Sequence, residues 1–303
     1  MTALAMVFGL GPATARAQIF ITSSSTNAID DYNPTTGTVI GNPLVTGLDS
    51  PTGIAVSGSD VFVANYYNGT IGEYTTSGAT VNSTLITGLS GPYGVAVAGS
   101  DLFVVNVQNS TIGEYTTSGA TVNSTLITGL NGAPIGITVS GLDLFVVNFG
   151  YDTIGEYTTA GLTVNAALVS GLNHPYFAAI SGSDIFVENG NSNTVGEYTT
   201  SGGIVNASLI TGLDDPITLA VSGSDLFVVN GLSKTIGEYT TTGGTVNSSL
   251  VTGLSGPYDI AVTPIAVPEP ATWALLAGGI SLFAVFRRRQ REAAATFTPR
   301  ADC

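Results

Sequence analysis

Between Gln18 and Pro264, apolar positions fall into short runs broken by Gly-bearing turns, and the runs come in groups of four. The group is plainest from Pro51 to Gly91. Segment a is Gly53-Ile54-Ala55-Val56, and segment b is Asp60-Val61-Phe62-Val63-Ala64-Asn65. Segment c centres on Ile71-Gly72-Glu73-Tyr74, and segment d runs from Thr80 to Ile86. These segments are rich in Val, Ile, Thr and Phe and contain no internal Pro. Each group therefore predicts four short antiparallel strands in a meander.

A Gly-Leu pair closes each copy, at Gly47, Gly88, Gly129, Gly171, Gly212 and Gly253, with spacings of 41, 41, 42, 41 and 41. A fixed period of this size marks radial or solenoidal repetition. The ends decide between the two. Residues 18–22, 28–32 and 38–44 match segments b, c and d but lack an a, while Tyr258 to Val262 is an a segment with nothing after it. A solenoid needs polar caps, not complementary incomplete ends. A ring closes when such ends share one sheet, which removes the exposed seam. The predicted fold is all-β: a six-bladed β-propeller of four-stranded antiparallel blades, closed by a shared N/C-terminal blade.

Side-chain sizes agree. Phe62 and Ala64 alternate with Val61 and Val63, so both faces of segment b need cover, as neighbouring blades supply it. Ala55, Ala96, Ala179, Ala220 and Ala261 are small enough for the crowded strand nearest the axis, with Thr138 the odd member.

The succession Pro-x-Gly-Ile-Ala-Val, Val-Phe-Val-Ala-Asn and Ile-Gly-Glu-Tyr resembles NHL-type repeats and the six-bladed propellers that include the gluconolactonase-like proteins. That resemblance implies a fold; propellers of this shape serve as ligand platforms, docking modules and hydrolases. A second resemblance lies at the C-terminus. Val267-Pro268-Glu269-Pro270 precedes an apolar run, 271–286, and Arg287-Arg288-Arg289. This order is similar to the PEP-CTERM sorting signal of Gram-negative bacteria. It implies recognition by an exosortase-type enzyme and delivery to the outer cell surface or extracellular matrix, where exopolysaccharide is a common companion. The run 271–286 reads as a transmembrane helix with the Arg cluster on the cytoplasmic side, and hence as an inner-membrane-anchored intermediate. At the other end, Ala3 to Leu10 and Ala15-Arg16-Ala17 look like the back half of a secretory signal peptide without its basic start. The expected organisation is a leader at 1–17, the propeller at 18–264 and a sorting segment at 265–303.

Charge narrows the partners. From 18 to 264 there are 18 acidic residues and one cation, Lys234, a balance of −17. Such a body cannot neutralise phosphates and excludes a nucleic-acid partner. Cys303 is the only cysteine and His174 the only histidine, which disfavours a transition-metal site.

Candidate binding residues gather on the loops at one end of the predicted channel. The residue after each d–a proline varies, and three of these are tyrosines, Tyr93, Tyr176 and Tyr258, suited to stacking on sugars or clamping a peptide. The b–c loops share a first Asn (Asn65, Asn106, Asn148, Asn189, Asn230) that reads as a turn residue bonded to nearby backbone. Asp152, Asn191 and Asn193 go beyond that pattern and are candidates for ligand or cation contact. No catalytic residue and no metal ligand is assigned. Segment a offers Asp259 as its only acid, and its fourth-strand partners read as apolar. The favoured function is a non-catalytic surface or matrix module for exopolysaccharide or protein, without a cofactor. The alternative is a calcium-dependent lactone or ester hydrolase of the gluconolactonase-like type, in which Ca2+ would be the cofactor.

Overall fold

The computed structural model describes residues 17–263. The predicted sorting segment and all but the last residue of the predicted leader lie outside the described residues.

The described chain forms six separate four-stranded sheets, each a meander of antiparallel neighbours. Blade 2 is typical: Pro51–Ser57, Asp60–Asn65, Thr70–Thr75 and Thr80–Ile86 are its strands a to d in order. Blades 3 to 6 repeat it through Thr252. Blade 1 is the composite. Its inner strand is Pro257–Val262, hydrogen-bonded to Ile19–Ser23 with Phe20 opposite Ala261 and Ile21 opposite Ile260. Ala28–Tyr32 and Val39–Thr46 complete it. The Thr22 hydroxyl strengthens this seam, accepting from the Asp259 N–H at 3.0 Å and donating to the Thr52 carbonyl of blade 2 at 2.7 Å.

The alternation in segment b decides the packing. Val61, Phe62, Val63 and Ala64 are all buried. Phe62 and Ala64 meet Leu102 and Val104 of blade 3, while Val61 and Val63 meet Phe20 of blade 1. The same contact closes the ring, where Phe227 and Val229 of blade 6 pack on Ile19 and Ile21. Each strand thus buries both faces against different neighbours, as a two-sided apolar strand requires. The inner strands approach closely. A Cβ on Gly53 would lie 2.3 Å from the Tyr93 carbonyl oxygen of the next blade, so only glycine fits there.

One expectation is corrected. Among the described residues no helix is long and apolar enough to cross a membrane. Their α- or 3-10-helical structure amounts to two three-residue 3-10 turns, Phe149–Tyr151 and Gly190–Ser192. The predicted transmembrane helix, 271–286, itself lies outside the described residues. Its 16 residues would rise only about 24 Å as a helix, short of the roughly 30 Å of bilayer hydrocarbon. The membrane partner and the anchored intermediate inferred from that helix are withdrawn.

Candidate functional site

The d–a and b–c loops meet at one end of the channel, and left-handed backbone positions set their shape. In the b–c loops these are Asn27, Gly69, Ser110, Asp152, Asn193 and Lys234; on the d–a side they include Ser50, His174 and Asp215. Asn and Asp tolerate this conformation and can bond neighbouring backbone. Asp152 Oδ1 accepts from the His174 N–H at 2.8 Å, and Asn193 Oδ1 from the Asp215 N–H at 2.9 Å. Asn27 Oδ1 makes the same bond to the Ser50 N–H at 3.0 Å. Asp152 and Asn193 therefore clasp two loops, whereas Asn191 stands exposed on its 3-10 turn. The recurring first Asn also bridges loops: Asn189 Oδ1 accepts from Asn173 N–H at 2.9 Å and Asn230 Oδ1 from Asp214 N–H at 3.1 Å.

Aromatic rings gather on this platform. Tyr67, Tyr66, Tyr93 and Tyr258 form an edge-to-face chain with centroid separations of 5.4, 6.2 and 5.5 Å. His174, Phe149 and Tyr176 form a second group, at 4.5 and 4.9 Å. Between the two groups lies a cavity of about 320 Å³ lined by Tyr176, Phe177, Asp215, Ile217, Gly231, Pro257 and Tyr258. Tyr176 and Tyr258 thus share one cavity, and Tyr93 abuts the ring of Tyr258. All three tyrosines are half-buried. Burial, then the Asp259 charge and Tyr66, hold the Tyr258 hydroxyl well above the usual tyrosine range, so it remains a neutral donor. The channel is a second cavity, of about 240 Å³, walled by the inner strands and reaching Asp259.

Two buried carboxyls lie at this end, Asp259 on the inner strand of blade 1 and Glu188 on the second strand of blade 5. Asp259 Oδ2 accepts from the Ile54 N–H at 2.9 Å; Oδ1 accepts from the Thr218 hydroxyl and the Ile260 N–H, both at 2.8 Å. Burial raises its pKa to about 6 against the lowering effect of those bonds. Glu188 lies in strand Asp184–Asn189 of blade 5, at a position held by Thr22, Ala64, Val105, Val147 and Val229 in the other blades. Its Oε1 accepts from the Tyr176 N–H at 2.7 Å and from the Phe177 N–H, while Oε2 is buried with no hydrogen-bond partner. Burial pushes its carboxyl well above the usual range, and the Asp259 charge raises it further. Glu188 is thus a second buried acid that feels the charge of Asp259, and it comes from strand b of blade 5.

Among the described residues no cluster of three or more His, Cys, Asp or Glu could hold a metal. Calcium takes six to eight oxygens. Both Asp259 oxygens are already committed to protein donors, leaving Glu188 Oε2 as the one free acid oxygen of the pair. The pair does not fit calcium, and no reaction step is derived through one.

Comparison with known proteins places a PEP-CTERM protein-sorting motif at residues 266–290. The chain is an exported β-propeller bearing that motif. No curated protein matches the chain. Several solved structures share its fold. A structure described as a nidogen/laminin complex has a TM-score of 0.69 at 16% identity, covering 81% of this chain and 98% of that one. A protein of unknown function from Bacteroides caccae gives 0.64 at 17%, covering 82% and 99%. A streptogramin B lyase gives 0.57 at 20%, covering 80% and 82%. At such identities the likeness shows the propeller and not the narrower NHL or gluconolactonase-like family.

Proposed function

We propose that this protein is a non-catalytic binding module of the cell surface or extracellular matrix, and that its aromatic mouth takes exopolysaccharide. The observation that carries this reading is the pairing of Tyr176 and Tyr258 across one cavity, with Asp215 in its lining. Ring faces pack on the apolar faces of sugars, and a carboxylate and phenol hydroxyls meet sugar hydroxyls. A volume of about 320 Å³ sits at the small end of ligand pockets, roughly 300–1,000 Å³, and suits a short stretch of chain. The acidic body repels polyanions, so the favoured polymer is neutral or carries amino sugars. The motif at 266–290 supports sorting by an exosortase-type enzyme acting near Val267-Pro268-Glu269-Pro270, with Arg287, Arg288 and Arg289 as part of the signal.

A glycan array probed with the purified protein and with Tyr258→Ala tests the reading. Retention of neutral or cationic polysaccharides, weakened at least tenfold by the substitution, is expected. Binding to no polysaccharide, or equal binding by both proteins, would refute it.

A further inference from the structure

Blade 5 departs from the other five at its inner strand. Elsewhere the d–a proline pairs with the end of strand b: Pro257 with Ser23, Pro51 with Asn65, Pro92 with Asn106, Pro134 with Asn148 and Pro216 with Asn230. In blade 5 the ladder begins only at Ala178, opposite Val187. The inner strand there is Ala178–Ser181, four residues against six or seven in the other blades. Pro175, Tyr176 and Phe177 stay outside it.

The same blade carries Glu188 where the others place Thr, Ala or Val. Its Oε1 accepts from the N–H groups of both Tyr176 and Phe177, so a side chain holds the segment that the ladder leaves out. On the blade 4 side the fit is close, since a Cβ on Gly136 would come within 2.5 Å of the Tyr176 carbonyl oxygen. The segment is thus fixed from two directions, and it carries the mouth. Tyr176 and Phe177 both line the cavity of about 320 Å³, and Phe177 also lines the channel. Burying a carboxyl is unfavourable unless its hydrogen bonds offset the lost hydration. Glu188 is 0% exposed and its Oε2 has no partner, so stability alone gives no reason for an acid here.

We propose that Glu188 is the positioning residue of the mouth, holding Tyr176 and Phe177 as walls of the sugar-binding cavity through its reach to their N–H groups and not through its charge. The proposal rests on the reading of the mouth as a polysaccharide site. Two conservative variants separate reach from charge. Glu188→Gln keeps the length and one acceptor oxygen but is neutral; Glu188→Asp keeps the acid but is one methylene too short to serve both N–H groups.

Amide hydrogen exchange in the whole protein, read at Tyr176 and Phe177, tests this together with binding of the polysaccharide that the native protein retains on the array. In Glu188→Asp, exchange at both amides should be at least tenfold faster and binding at least fivefold weaker. In Glu188→Gln both should stay within twofold of the native protein. The Val104 amide, in the core of blade 3, should keep its native rate in both variants. Native exchange in Glu188→Asp, or faster exchange there with binding unchanged, would overturn the proposal. So would losses in Glu188→Gln that match or exceed those in Glu188→Asp, or a Val104 amide that quickens equally. A native protein that binds no polysaccharide would refute the reading of the mouth, and the exchange rates would still decide whether Glu188 holds its walls.

Discussion

Asp259→Asn is the substitution whose effect follows most directly from the buried carboxyls. In the fold the Asp259 pKa is about 6, against an ordinary 3.8. Between those values the folded chain holds a proton that the unfolded chain has lost, so stability falls as pH rises through the window. At about 1.4 kcal/mol per pH unit, the loss approaches 3 kcal/mol by the time the pH has passed the upper value. The asparagine does not titrate. It keeps an oxygen for the Thr218 hydroxyl and the Ile260 N–H but turns its amide on the Ile54 N–H, leaving a buried donor unpaired at a cost of about 1–3 kcal/mol. The variant should therefore be the less stable protein at pH 4. By pH 8 the gap should close or reverse. Guanidinium unfolding at a series of pH values, followed by circular dichroism, reads both curves, with the slope m unchanged. The glutamates of strand c, Glu73, Glu114, Glu156, Glu197 and Glu238, shift in the same direction and are common to both proteins, so the difference reads Asp259 together with the part of the Glu188 shift that the Asp259 charge causes. A stability gap that stays constant from pH 4 to pH 8 would refute the reasoning.

Two further substitutions test the packing. Phe103→Ala removes a fully buried ring at the contact between blades 3 and 4 and should cost roughly 3–5 kcal/mol in denaturant unfolding. Gly72→Ala would place a methyl 2.8 Å from the Tyr74 ring, so the ring must move, and a loss of about 1–3 kcal/mol is expected by the same measurement. The Gly47→Ala substitution meets no atom within 4 Å but sits at φ +78°, so any cost there is backbone strain alone.

Most of the fold was legible because its determinants are repeated and local. The Gly-Leu spacing, the two-sided apolar strands and the complementary ends required no knowledge of contacts, and the pairing of Ile21 with Ile260 follows from them. The site was legible in part. Tyr176 and Tyr258 stood out because they vary at a fixed position after a proline. Glu188 did not, because it falls inside an apolar run and shows itself only when Thr22, Ala64, Val105, Val147 and Val229 are set beside it. The same columnwise comparison places Asp259 with Gly53, Gly94, Gly136, Phe177 and Thr218, which marks the blades whose inner strands carry a side chain there. Asp152 and Asn193 looked like additions to the loop pattern because loop sequences differ. Their backbone, at φ 55° and 57°, puts them where Asn27 stands at 53°.

Tyrosine fluorescence during titration with polysaccharide from the producing organism tests the binding reading most directly. Saturable change in the native protein, lost in Tyr176→Ala and Tyr258→Ala while both variants keep their circular dichroism spectra, is the predicted result. A saturable change that survives both substitutions, or none in the native protein, would contradict it.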